Sequence, residues 1–228
     1  AQAVETSLPP GSNVHVGVTT TSFGAEGCPD PLLDCGLNVA PGGGEPYVRD
    51  PVSDSSGAPG QQGRLFEHAG RAYFELVTDS GQRDALAAWL EGSFRAIGNT
   101  GCGMAMPSLA AFHALRPENA PSNVGFSRGS ESLLVLFTIT DDWDRSAESS
   151  TLELLSGLRD AKGNCTRCLQ VSGVIPACTQ RLRNVYYELG SALSLSGPND
   201  WGDIVDTAGY GPTLEAALAQ TPSSRCDQ

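Results

Sequence analysis

Residues 133–144 read LLVLFTITDDWD. A run of apolar and β-branched residues ends there on three aspartates, Asp141, Asp142 and Asp144. A strand that is apolar at consecutive positions is typical of a parallel sheet covered by helices on both faces. The stretch therefore predicts a central parallel strand over about 131–140, with crowded carboxylates at its carboxyl end.

Strand and helix patterns alternate on both sides of this stretch. Strands are predicted at NVHVGVTTTSF (13–23) and CLQVSGVIP (168–176), and a hairpin at 63–78 that turns at Ala69 and Gly70. Helices are predicted over 79–98, 104–116, 146–163, 179–193 and 200–220. The helix over 79–98 places Leu86, Trp89, Leu90 and Phe94 on one face and begins at an Asp79 or Ser80 cap.

Alternating strands and helices define the expected fold class. We expect an α/β protein with a Rossmann-like, mostly parallel sheet flanked by helices. The 228 residues are treated as one domain, with a long Gly- and Pro-rich loop over 24–62 and a divergent C-terminal part over 164–228.

The charge of the chain limits its partners. A formal net charge of −12 repels phosphate backbones and anionic lipid, so nucleic acid is not an expected partner. No apolar run reaches the roughly 20 residues of a membrane helix. The expected partners of such an acidic surface are cations and a protein ligand or partner subunit.

The seven cysteines indicate the compartment. Several lie in loops or near the end of the chain, where disulfides fix segments that have little core, so we expect an extracytoplasmic location. Cys28 with Cys35 is the first expected pair, and Cys178 with Cys165 or Cys168 the next. Redox and zinc chemistry at CTRC (165–168) are the alternatives. The disulfide candidates are Cys28, Cys35, Cys165, Cys168, Cys178 and Cys226.

The aspartates at the strand end form a candidate metal site. Ligands of open α/β sheets bind beyond the carboxyl ends of the strands, where Asp141 falls. The loop GNTGCG (98–103) would lie nearby and contributes the hydroxyl of Thr100. A hydroxyl and a carboxylate, completed by waters, suit Mg²⁺ or Ca²⁺.

These two stretches carry a resemblance to a known family. GNTGCGMAMPSLAAFHAL (98–115) followed by SLLVLFTITDDWD (132–144) is similar to the second and third motif loops of von Willebrand factor type A domains. The versions in bacterial cell-surface lipoproteins are the most similar. The resemblance implies a metal-dependent adhesion site with Thr100 as the second-loop threonine and Asp141 as the third-loop aspartate.

One part of the family pattern is missing. The family's first metal loop, Asp-x-Ser-x-Ser, follows the first, central strand, and neither is found in this sequence. The nearest string, DSSGA (54–58), lies in the long loop. We therefore expect a fragment, a sheet completed by a strand from another chain, or a reorganised sheet, since a sheet without its central strand exposes two edges.

The acidic residues from Asp142 onward also have an interpretation that depends only on their spacing in the sequence. From Asp142, oxygen side chains have the spacing of a calcium-binding EF-hand loop, but Ala147 occupies the position of its glycine. The other reading is helix capping by Asp144 or Ser146. The spaced residues are Asp142, Asp144, Ser146, Glu148, Ser150 and Glu153.

The function expected from these observations is non-catalytic. The chain reads as an extracytoplasmic protein-binding or adhesion module assisted by a divalent cation, with a strand-completed structural subunit as the alternative. A serine hydrolase is the third reading, because GFSRG (125–129) matches Gly-x-Ser-x-Gly around Ser127. That motif requires a strand before the serine and a helix after it, whereas a loop precedes it here and a strand follows.

Overall fold

The computed structural model describes residues 1–20, 63–97, 107–116, 119–140, 151–165, 168–175 and 201–219. The elements in chain order are α1 (Gln2–Ser7), β1 (Asn13–Gly17), β2 (Tyr73–Val77), α2 (Arg83–Ile97), α3 (Pro107–Ala114), a 3-10 turn (Gly129–Glu131), β3 (Leu134–Ile139), α4 (Thr151–Ala161), β4 (Leu169–Ile175), β5 (Trp201–Asp203), a second 3-10 turn (Thr207–Gly209) and α5 (Tyr210–Ala219).

A parallel sheet forms the centre of the described structure. Its strand order is β3-β4-β5, with Leu134 opposite Leu169 and Gly173 opposite Trp201. Every residue of β4 is buried, as expected for a strand covered on both faces. The fold is therefore mixed α/β, with a three-stranded parallel sheet in the described part of the chain, and it is compatible with the Rossmann-like class.

Helices cover the two faces of this sheet. Leu134 and Leu136 of β3 pack with α3 and α4 in one buried cluster, which also contains Phe112 and Leu158. Val135 points to the opposite face because side chains alternate along a strand. There it packs with α1 and α5 in a second cluster. The result is a three-layer arrangement of helix, sheet and helix.

The second cluster also supports a separate antiparallel pair, β1 and β2. Val14 and Val16 of β1 and Phe74 and Leu76 of β2 all contribute to it, and Trp89 of α2 packs against Phe74. No strand pairing joins this pair to the parallel sheet within the described residues. The two sheets are thus connected through an apolar cluster and not through backbone hydrogen bonds.

The local turn and strand predictions are confirmed in part. Ala69 and Gly70 both have positive φ, and His68 and Arg71 exchange backbone hydrogen bonds across them, as in a tight hairpin turn. However, β2 pairs along its whole length with β1. The predicted pairing within a hairpin over 63–78 is therefore wrong. Register with the distant β1 buries Phe74 and Leu76, which pairing inside the turn does not achieve.

Two further expectations are corrected, and a third is described only in part. The helix predicted over 79–98 begins only at Arg83, because Asp79 adopts positive φ in the preceding turn, and Phe94 is 48 % exposed. The helix predicted over 200–220 is a strand followed by α5, since Trp201–Asp203 pairs with β4. The strand predicted as central, β3, is paired on one side only within the described residues. The predicted loop over 24–62 and the helix over 179–193 lie outside the described residues.

The contact between α3 and α4 gives a sharp stability test. A Cβ at Gly157 of α4 would overlap the ring of Phe112, whereas one at Gly211 of α5 would meet nothing within 4 Å. Alanine in a helix is favoured over glycine by up to about 1 kcal/mol. Overpacking a core costs about 1–3 kcal/mol. We expect Gly157→Ala to lower the free energy of unfolding and Gly211→Ala to leave it unchanged or raise it, as measured by urea denaturation.

A Gly157→Ala variant as stable as the Gly211→Ala control would contradict the close packing of these helices.

Candidate functional site

The carboxyl edge of the parallel sheet is the first candidate, because the predicted metal ligands follow it in sequence. Thr100, Asp141, Asp142 and Asp144 lie outside the described residues. Thr140, the residue before Asp141, is buried, and its N–H donates to Val174 O at 3.2 Å. The chain therefore leaves β3 beside the end of β4, at the edge where ligands of such sheets bind.

The described acids at this edge are engaged in turns. Asp203 ends β5, and its Oδ1 accepts a hydrogen bond from Val205 N at 3.2 Å. Asp206 caps the turn before α5 by accepting from Gly209 N at 3.3 Å. Among the residues that the structure describes, no group of three or more His, Cys, Asp and Glu is placed to hold a metal ion.

The open edge of β3 is the second candidate. Because Thr140 N–H points to β4, the alternation of a strand directs the N–H and C=O groups of Val135, Phe137 and Ile139 away from β4. No strand pairs with this side within the described residues. Ile139 is 45 % exposed and the residues from Leu134 to Phe137 are half-buried, although all are apolar.

The strand β1 has a matching open edge. Thr78 N donates to Ser12 O at 2.9 Å, so the backbone groups of Asn13, His15 and Gly17 alternate to the side away from β2. Asn13 O accepts from the guanidinium of Arg128 at 2.7 Å. Beyond Asn13, the residues His15 and Gly17 form an edge that no described strand pairs with.

The two open edges border the same apolar cluster. Val14 and Val16 of β1 and Val135 of β3 all pack against the core formed around Phe74, Leu86 and Leu218. Both strands therefore bring apolar side chains to one cluster while each leaves an edge that no described strand pairs with, and such edges readily accept an added strand. We call this region, formed by β1 residues 14–17 and β3 residues 134–139, the inner edges.

A polar corner lies on the other face of β1. His15 is mostly buried, with Nδ1 at 3.0 Å from Phe126 O and Nε2 at 3.5 Å from Glu75 Oε1. Its ring stacks on Tyr73 with centroids 4.6 Å apart. These contacts hold the His15 ring between Phe126, Glu75 and Tyr73.

The pKa of Glu75 is lowered in this corner. The hydrogen bond from Asn13 Nδ2 at 2.9 Å is the main cause, and contacts with His15 and the charge of Arg128 add to it. A carboxylate that accepts hydrogen bonds in the folded chain favours its ionised form.

The cysteine pairing differs from the expectation. Cys165 and Cys168 are joined to each other by a disulfide, with their Cα atoms 5.3 Å apart, so neither pairs with Cys178 in this structure. Three residues of separation at the junction of α4 and β4 allow this short closure. Cys28, Cys35, Cys178 and Cys226 lie outside the described residues.

The hydrolase motif lies between a loop and a strand in the described structure. Ser127 lies in an exposed turn that leads through a 3-10 turn into β3, as the sequence context indicated. A nucleophile elbow requires a strand that runs into the serine and a helix that leaves it. The local geometry therefore gives no support for Ser127 as a nucleophile.

Sequence reasoning did not identify the role of Lys162. It ends α4 in DAKG, where a solvated lysine near a helix C-terminus is the ordinary expectation. Its side chain is instead 1 % exposed, and Nζ donates to Gly129 O and to Ser132 Oγ. An ammonium this deeply buried is rare without acceptors in place, and these two acceptors come from the segment that leads into β3.

Comparison of the chain with family models, curated proteins and solved structures gives no match.

No described helix is both long enough and apolar enough to cross a membrane.

The polar corner predicts a dependence of stability on acid. Because the pKa of Glu75 is lower in the folded chain than in the unfolded chain, its contribution is present above its ordinary pKa and is lost as the pH falls through the folded value. We expect the melting temperature of Glu75→Gln to fall less steeply with pH than that of the unmodified chain below about pH 5. Thermal unfolding at several pH values measures this difference.

The control is Glu67→Gln, which removes one carboxylate from an exposed position outside the corner. Equal pH slopes for the Glu75→Gln variant and the unmodified chain would contradict the assignment.

Proposed function

We propose that this chain is a non-catalytic, extracytoplasmic protein-binding module that takes up an extended strand from a binding partner at its inner edges. The observation that carries the proposal is the half-exposed, apolar edge of β3 beside a fully buried β4. Both strands have parallel-sheet sequences, but only β4 is paired on two sides in the described structure.

The physical reason is the cost of an unpaired apolar edge. Strand edges with free N–H and C=O groups pair readily with other chains unless they are short, charged or covered. The side chains on β3 from Leu134 to Phe137 and at Ile139 carry no charge. Main-chain hydrogen bonds from an added strand supply affinity, and pockets for its alternate side chains supply specificity.

The chemistry of the occupant follows from the two faces of β3. Leu134 and Leu136 face the α3 and α4 layer, whereas Val135 faces the α5 layer. The side chains of a strand inserted beside β3 would alternate between these two helix layers. We therefore propose a partner segment with apolar side chains at consecutive positions. Because the chain has a net charge of −12, basic residues flanking that segment would favour association.

The resemblance to von Willebrand factor type A domains supports the same proposal. In that family a central strand precedes the first metal loop, and this sequence has neither. Within the described residues the β1–β2 pair and the parallel sheet share no strand pairing, which is compatible with a strand missing between them. On this proposal the partner segment occupies the position of that strand.

The test selects extended peptides from a displayed library on the full chain and maps them by hydrogen exchange. We expect bound peptides to protect the amides of His15, Gly17, Val135, Phe137 and Ile139. Ile139→Lys should reduce affinity at least about tenfold, since an edge lysine opposes strand pairing. Val77→Lys is the matched control, because Val77 is also a β-branched strand residue and is 41 % exposed, similar to Ile139 at 45 %, but lies on β2.

Protection at other sites, or equal losses in the two lysine variants, would reject strand addition at the inner edges. Dimerisation of the chain alone with protection of the same amides would identify a second copy as the occupant.

We propose divalent-cation assistance as a second component of binding. It is supported by the exit of β3 at Thr140, which places the chain at the carboxyl edge one residue before Asp141. Thr100 and Asp141 are the proposed ligands of Mg²⁺ or Ca²⁺, and Asp142 and Asp144 are the proposed ligands of a separate calcium loop.

Calorimetric titration with MgCl₂ and CaCl₂ separates the two cation sites. We expect binding heat that Asp141→Ala removes, as does Thr100→Ala, while Asp144→Ala removes only a calcium-specific component. The charge-matched control is Asp160→Ala, which lies on α4 in another part of the chain. Absence of heat with either ion at millimolar concentration would rule out both sites.

A further inference from the structure

We infer that the Cys165–Cys168 disulfide is a redox site that exchanges with external thiols, with Cys165 as the reacting sulfur. This inference is independent of the proposed binding function. It is drawn from the exposure of the two cysteines, the hydrogen-bond acceptor beside Cys168 and the buried charge of Lys162.

The two sulfurs differ in access. Cys165 is partly exposed in the turn that follows α4, whereas Cys168 is fully buried at the start of β4. Of the two cysteines, Cys165 is therefore the one that we expect an incoming thiolate to attack. A cysteine pair at this spacing, with one accessible and one enclosed sulfur, is the arrangement that thiol–disulfide exchange requires.

In the reduced state, the thiol proton of Cys168 has a hydrogen-bond acceptor in place. Cys168 Sγ lies 3.3 Å from Ser130 O, a distance at which a thiol donates a hydrogen bond. In the disulfide that sulfur carries no hydrogen, so the carbonyl becomes an acceptor for Cys168 only after reduction. Reduction thus creates no buried thiol without an acceptor.

The turn that holds the pair does not depend on the disulfide. Cys165 N donates to Lys162 O at 3.0 Å, and Cys168 N donates to Cys165 O at 3.1 Å. Asn164 N donates to Arg159 O at 2.7 Å and closes the end of α4. These backbone bonds keep the two sulfurs adjacent in the dithiol, which allows the bond to form again.

The positive charge of Lys162 favours the thiolate form of the reduced pair. The pair follows the C-terminus of α4, whose negative end disfavours an anion. The buried ammonium of Lys162 donates to Gly129 O and Ser132 Oγ, which belong to the same short segment as the Ser130 carbonyl beside Cys168. A cation in this position opposes the helix dipole and favours the thiolate form of the reduced pair.

The exchange proceeds in two balanced steps. A thiolate RS⁻ attacks Cys165 Sγ, forming R–S–S–Cys165 and releasing Cys168 as a thiolate. This thiolate takes a proton from water, and the resulting thiol donates a hydrogen bond to Ser130 O. A second RS⁻ then attacks the sulfur of R, forming R–S–S–R and releasing the Cys165 thiolate. Two external thiols are oxidised to one disulfide while the protein pair gains two electrons, and the reverse sequence oxidises the pair.

The first experiment asks whether the pair is reducible in the folded chain. The protein is treated with millimolar dithiothreitol, labelled with a maleimide and mapped by peptide mass spectrometry at positions 165 and 168. Labelling after denaturation of the quenched sample reveals the buried Cys168. We expect reduction of this pair while near-UV circular dichroism remains native, whereas reduction that occurs only with loss of the native spectrum would overturn the inference.

The second experiment assigns the reacting sulfur. Cys168→Ser leaves Cys165 as the accessible thiol, and Cys165→Ser is the matched control that leaves Cys168. With oxidised glutathione as the disulfide, we expect the mixed disulfide to form at least about tenfold faster at Cys165 in the first variant than at Cys168 in the second. Equal rates, or an adduct only on Cys168, would overturn the assignment.

The third experiment tests Lys162 in the Cys168→Ser background. Lys162→Met keeps an unbranched apolar side chain but removes the charge, and its fold is checked by circular dichroism. We expect the pH profile of glutathione coupling at Cys165 to move to higher pH, with a rate several-fold lower at neutral pH. A folded Lys162→Met variant with an unchanged pH profile would contradict the electrostatic role.

Discussion

The backbone of β3 can be fully hydrogen-bonded only if both of its edges have strand partners. Within the described structure β4 satisfies one edge, and the other runs beside an apolar cluster that β1 shares. Buried or half-buried backbone groups carry a high cost when unpaired, so this edge is the least satisfied part of the sheet. The separation of the two described sheets and the proposed binding of an extended segment both follow from this edge.

The amino end of the same strand is held by a different interaction. Lys162, at the end of α4, donates to Gly129 O and Ser132 Oγ immediately before β3 begins. The disulfide between Cys165 and Cys168 lies in the turn that follows. The junction of α4 and β4 therefore fixes the entry of β3, so the proposed redox site and the proposed binding edge belong to one strand and its neighbours.

The sequence correctly predicted the elements whose conformation depends on neighbouring residues. The Ala69–Gly70 turn and the apolar strand β4 agree with the prediction because turn conformation and strand burial are readable from neighbouring residues. The partner of β2, the strand at Trp201–Asp203 and the exposure of Phe94 were not predictable in this way. Each depends on which distant residues pack against the segment, and single-sequence periodicity does not contain that information.

For the candidate site, the sequence by itself determined the chemical inventory: an apolar strand that ends at Thr140 before Asp141, a cysteine pair at 165 and 168, and a net charge of −12. Only the tertiary structure decided that one edge of β3 has no strand partner among the described residues, that Cys165 pairs with Cys168, and that Lys162 is buried against Gly129 and Ser132. The physical reason is that residue type and spacing fix local backbone preference, whereas edge pairing and burial depend on contacts between segments far apart in the chain.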